Sequence, residues 1–231
     1  MMLGISLYGA GNFDESDQAF ERALWSLRSE MRNESIMASS KLHILHSYLK
    51  TLNNIACCSF HQSNTKKSVK ALSIALGLIL ELLDTGTIHE QLDTSLPVDV
   101  YQLPEFRINS LQQLPATVHC TLSIILCNIA YAFGKVEDFS LSSAYLNQAL
   151  KIQRRMPSFI HSYMISIDVM DSLAFCLRKM DRLNSAIRLY KNILKTKRQC
   201  FRSEVQYRRC MANASSFCQA LQTIKTSSIE I

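Results

Sequence analysis

Stacked helix-turn-helix pairs in an all-α fold are what this 231-residue sequence predicts, and three observations predict it. First, one pattern recurs four times. Small residues stand at Gly4, Ala56, Ala130 and Ala174, and further small residues at Ser16, Ser68, Ser142 and Ala186. Bulky residues follow at Phe20, Leu72, Leu146 and Tyr190, and then Ala23, Ala75, Ala149 and Ile193. Second, apolar residues recur at helical spacing, as in Leu42, Leu45, Leu49, Leu52 and Ile55. Third, six Gly and four Pro are few for this length, which suits long helices with few strands. A repeat of this kind decides the architecture before any single residue is weighed.

The elements follow in order. A short first helix ends near Tyr8, Asn12 and Asp14 mark a turn, and a second helix runs to about Arg32. A polar stretch from Asn33 to Ser40 leads into the long third helix, whose partner starts after a cap at Asn64-Thr65 and runs to about Leu83. Residues 84–114 break the pattern with Asp84-Thr85-Gly86-Thr87, Pro97 and Pro104. A connection this long is a functional or mobile insertion, in which Val98, Val100, Tyr101, Leu103 and Phe106 could fold back as an internal plug. The third pair resumes near Pro115, runs to Gly134, and continues from Glu137 to about Met156. Pro157-Ser158 opens the fourth pair, which ends near Cys200. A last helix over about 204–224 is expected to cap the stack. The whole is read as one domain, with units at about 1–32, 38–83, 115–156 and 158–200. The opening Met1-Met2-Leu3-Gly4 already lies in a first helix, so a chain trimmed at its front is expected.

The pattern resembles the tetratricopeptide repeat (TPR). Gly4, Ala56, Ala130 and Ala174 match the family's small position in helix A, and Ser16, Ser68, Ser142 and Ala186 the small position opening helix B. Asn54 and Asn128 match an asparagine common in helix A. The resemblance implies a right-handed α-solenoid. The chain departs from the family in its spacing: its units recur at steps of 52, 74 and 44 residues against the family's 34. The family's tryptophan is also missing, since the one Trp is Trp25.

No catalytic constellation is present, and no enzyme, cofactor or metal site is expected. Gly9-Ala10-Gly11 lacks the third glycine of a nucleotide-binding loop and reads as a repeat turn. His43 and His46 lie three apart but have no third ligand. Eight cysteines (Cys57, Cys58, Cys120, Cys127, Cys176, Cys200, Cys210 and Cys218) form no C-x-x-C pair and read as buried, reduced thiols, implying a cytoplasmic or nuclear setting. No basic region precedes the first apolar residues, and no apolar run near 18 residues stands out, so a signal segment or membrane span is not expected.

The family resemblance implies a protein or peptide partner held in a concave groove lined by the A helices. Repeat phase puts Lys50, Asn53, Asn54, Cys57, Phe60 and His61 there, then Ile124, Cys127, Asn128, Tyr131 and Lys135, then Asp168, Asp171, Ser172, Phe175, Arg178 and Lys179. The family's carboxylate clamp is not restored, because the cations it needs are missing from consecutive units. A second candidate surface is basic. Eleven Lys or Arg and two acids fall between Arg178 and Arg209, and Arg188, Lys191, Lys195 and Arg198 recur at three- and four-residue steps. The function read from the sequence is therefore a non-catalytic interaction scaffold. The alternatives are a nucleic-acid-associated repeat protein using the basic stripe, or an accessory lobe of a larger assembly.

Overall fold

A computed structural model describes residues 1–33, 35–86, 97–104, 115–154 and 160–200, with side chains at 38, 39, 116, 160–165 and 198–200 left aside. Among the described residues there are eight helices and no strand. They are α1 (Met2–Gly9), α2 (Phe13–Met31), α3 (Ala38–His61), α4 (Thr65–Thr85), α5 (Ala116–Lys135), α6 (Phe139–Gln153), α7 (Ile160–Lys179) and α8 (Leu183–Cys200). Two compact units divide the chain, Met1–Ala132 and Phe133–Ile231, and the division falls inside α5. The capping helix expected at 204–224 lies outside the described residues. So does most of the 84–114 insertion. Its described part, 97–104, is a turn in which Val100 is buried and Tyr101 exposed.

The four small residues of the first helices are buried within the protein. Ala56, Ala130 and Ala174 are buried, as are the bulky residues Phe20, Leu72, Leu146 and Tyr190 that follow on the second helices. At the first crossing the geometry can be stated in ångströms. A Cβ built on Gly4 would lie 2.7 Å from Cε1 and 2.8 Å from Cδ1 of the Phe20 ring. That ring is buried, so a methyl group at Gly4 would have to displace it. Ser16 completes the crossing by donating its hydroxyl to the Gly4 carbonyl at 2.7 Å.

The turn inside each pair is also repeated. Gly11, Ser63, Glu137 and Asp181 all have positive φ, between 59° and 80°, and stand at the same repeat position. The next residue in each case, Asn12, Asn64, Asp138 or Arg182, donates its N–H to the carbonyl five residues back, at 2.8–3.0 Å. These are left-handed helix ends of the Schellman type, which satisfy carbonyls that the helix leaves orphaned. The following helix is then capped by a side chain in two units. Asn64 accepts from the Lys67 N–H and Asp138 from the Leu141 N–H. The cap read at Asn64 from the sequence is in place. Only the first turn uses glycine for the left-handed residue, so the other three hold a strained conformation that periodicity does not reveal.

Successive pairs meet through a second recurring contact. Two residues beyond the small position, Cys58 of α3 donates to Ser16 Oγ of α2 at 3.4 Å, and Cys176 of α7 meets Ser142 Oγ of α6 at 3.3 Å. All four residues are buried. The equivalent residue in α5 is Ala132, which brings no polar atom, and Ser68 Oγ is buried without a hydrogen-bond partner. In the first unit an ion pair adds to the packing. Lys67 of α4 reaches both Asp17 and Glu21 of α2, at 2.5 and 2.7 Å. Burial alone would lower the Lys67 pKa, but the bonds to the two carboxylates outweigh it and the net shift is upward.

One feature corrects the sequence reading. Thr117–Lys135 of α5 is long and apolar enough to cross a membrane by length and composition, although no such run was expected. Just over half of it, 56%, is buried within the protein, as suits a core helix packed on several sides.

Gly4→Ala is expected to overpack the first crossing and lower stability by about 1–3 kcal/mol. Gly9→Ala, where a Cβ meets nothing within 4 Å, should instead gain about 0.5–1 kcal/mol from helix propensity. Adding Phe20→Leu should recover part of the Gly4→Ala loss. Urea denaturation of the three variants checks this, and equal midpoints for Gly4→Ala and Gly9→Ala would contradict it. At the turns, Glu137→Gly should raise the melting temperature by relieving left-handed strain of about 1 kcal/mol, whereas Gly11→Ala should lower it.

Candidate protein-interaction surface

Helix α3 carries the first group of predicted surface residues and α5 the second. Both helices are first helices of their pairs, and within the first unit they meet in register. Asn128 Nδ2 donates to Asn53 Oδ1 at 2.7 Å and lies 3.8 Å from Cys57 Sγ. Two turns further along α3 and one along α5, Phe60 and Tyr131 make an edge-to-face contact with ring centroids 5.2 Å apart. The residue offsets of these contacts lie close to the repeat step of 74, so the two helices run parallel. Two half-buried amides and two aromatic rings therefore form one strip. Tyr131 is 51% exposed and Ile124, two turns earlier on α5, is 37% exposed. Both are large apolar side chains on a helix that is otherwise mostly buried.

The remaining predicted residues in this unit are scattered around that strip. Asn54 and Cys127 are half-buried, and Lys50 is exposed. His61 belongs to a different cluster at the helix ends: it stacks on Phe13 at 4.4 Å and is hydrogen-bonded to Tyr8 Oη at 2.9 Å. Burial pushes the Tyr8 hydroxyl pKa upward, reinforced by Cys57 and Cys58. Burial likewise pushes the Cys57 thiol up to about 11, helped by the neighbouring Cys58. That thiol is protonated at neutral pH and unsuited to nucleophilic work.

The second unit holds its own patch on α7. Phe175 is 41% exposed and packs edge-to-face on Phe139 of α6, with centroids 6.0 Å apart. The Arg178 guanidinium lies 5.4 Å from the Phe175 centroid, and Lys179 Nζ lies 5.8 Å from Phe175 and 5.9 Å from Phe139. These are cation–π distances. Asp168, Asp171 and Ser172 are exposed on the same helix, and Lys135 is exposed at the end of α5. The sequence reading overlooked Phe139. The repeat could have pointed to it, because Phe139 occupies the position of Phe13, and both rings pack against the first helix of the next pair.

The basic stripe falls on α8. Arg188, Lys191 and Lys195 are exposed there, opposite the buried Ile187, Tyr190 and Ile193. The Arg198 side chain lies outside the described residues. His43 is exposed and His46 half-buried, its Nδ1 buried without a hydrogen-bond partner. Burial lowers the His46 pKa, with Lys50 and His43 adding to the effect. Among the described residues no three His, Cys, Asp or Glu side chains come together as a metal site.

Comparison with known proteins agrees with this architecture. A tetratricopeptide repeat model matches residues 124–155, from the middle of α5 through α6. The crystal structure of a Podosopora anserina protein, described as a kinesin light chain with nearly identical TPR-like repeats, superposes with a TM-score of 0.52. It is 12% identical, and the match covers 98% of this chain and 93% of that one. At that identity the likeness is one of fold. No curated protein matches the sequence. The chain thus has an all-α fold like that of TPR-like repeat proteins, and TPR-like repeats generally mediate protein–protein interaction.

Proposed function

We propose that this chain is a non-catalytic protein-interaction module that holds a peptide or a partner helix against the first helices of its repeats. One observation carries the reading. The first helices, which supply much of the core, turn large aromatic and apolar side chains outward at Tyr131, Ile124 and Phe175. Exposed aromatics beside half-buried amides are the composition of a partner-binding surface: rings supply contact area at little entropic cost, and amides meet backbone groups. Asn128 Nδ2 donates to Asn53 Oδ1 and Cys57 Sγ, which leaves the Asn128 carbonyl oxygen and the Asn53 amide N–H groups to meet a partner. The cysteine usage, eight residues with no C-x-x-C pair, suits a reducing compartment, the cytoplasm or nucleus.

A second reading draws on the α8 stripe. Residues 182–200 contain no acid. Three exposed cations on one helix face suit an acidic surface or a nucleic acid.

Capture of partners from a nuclease-treated lysate separates the two. Tyr131→Ala and Phe175→Ala are each expected to weaken binding by about 2 kcal/mol, as buried aromatic anchors do. A variant with Arg188, Lys191, Lys195 and Arg198 all changed to Glu should retain the same partners. If instead the stripe variant loses them, binding falls steeply with salt and nuclease releases the material, the second reading replaces the first.

A further inference from the structure

The α7 face is not uniformly polar. Asp168 and Asp171 stand at the ninth and twelfth positions of this 20-residue helix, Phe175 follows, and Arg178 and Lys179 occupy its last two positions. All but the half-buried Arg178 are exposed. The cations have a local reason to be there, since a helix C-terminus favours positive charge. The aspartates have none: they sit mid-helix, where aspartate is a poor helix former, and they cap nothing. The two cations lie over the Phe175 ring, which holds them at one end of the apolar spot rather than around it. The result is an ordered series of negative, aromatic and positive groups. Helix rise separates the two charged ends by about 13 Å.

From this order we infer that the α7 face takes a peptide segment of complementary polarity: basic residues over Asp168 and Asp171, an apolar side chain on Phe175, and acidic residues over Arg178 and Lys179. The inference rests on the interaction reading above and adds the chemistry of the partner. About four residues of extended chain span the same distance, so the charges of the partner are set that far apart. A partner of one sign meets repulsion at one end of the face. This surface therefore selects against wholly acidic and wholly basic segments alike.

Three fluorescein-labelled peptides test it with the full chain: Lys-Lys-Ser-Leu-Ser-Glu-Glu, the same peptide with the lysines replaced by serine, and the same peptide with the glutamates replaced by serine. The first is expected to bind roughly fivefold more tightly than either half-charged peptide, as two or more exposed ion pairs allow. Asp168→Ser/Asp171→Ser should erase the advantage conferred by the lysines and leave that of the glutamates, and Arg178→Ser/Lys179→Ser should do the reverse. Circular dichroism confirms that each variant is folded. Equal binding of the three peptides, or variants that change all affinities alike, would overturn the inference. So would absence of binding by all three, and the interaction reading itself would still stand if Tyr131→Ala loses captured partners.

Discussion

Burial of one small residue at a fixed position of each first helix is the constraint on which the rest of the structure depends. At Gly4 the second helix presents the Phe20 ring where a methyl group would otherwise be, and Ala56, Ala130 and Ala174 are buried at the same repeat position. Helices that approach this closely interlock over their whole length, and the position of one small residue then sets the register of both. From that register follow the turn, with its left-handed residue, and the next pair, which meets its predecessor through Cys58 and Ser16 or through Cys176 and Ser142. Interiors are packed too tightly for such a register to slip without loss.

The same register explains how the exposed surface arises. Helix α3 packs on its own partner α4 and on α2, and α7 on α8 and α6, which uses two faces of each. What is left over points outward. In the first unit that remainder joins α3 to α5 through Asn53, Asn128, Phe60 and Tyr131. In the second unit it forms the charged and aromatic face of α7 around Phe175. The outward residues carry little packing and are free to vary with the partner, whereas the crossings beneath them are not.

Much of this was legible in the sequence because the repeat phase is a packing statement. Small residues recur once per pair, so the four pairs and the buried faces of their helices could be read off directly. What the phase could not show has physical reasons. Ser63, Glu137 and Asp181 do not announce a left-handed backbone as a glycine does. Asn53 and Asn128 are 75 positions apart, and their bond depends on how two helices lie side by side. His61 shares its helix face with groove residues, yet its place at the very end of α3 delivers it to Phe13 and Tyr8 instead. The apolar stretch in α5 does not stand out as an unbroken run, because Ser123 and Asn128 interrupt it, although its mean hydropathy is high.

Urea unfolding of the single variants Ala56→Leu, Ala130→Leu and Ala174→Leu is the sharpest check on this packing, since each adds bulk at one buried small residue. The account predicts a lower midpoint for all three, by about 1–3 kcal/mol each in stability, with helical circular dichroism retained before the transition. Midpoints equal to that of the parent would contradict it, because they would mean that the helices do not approach closely at the small residues.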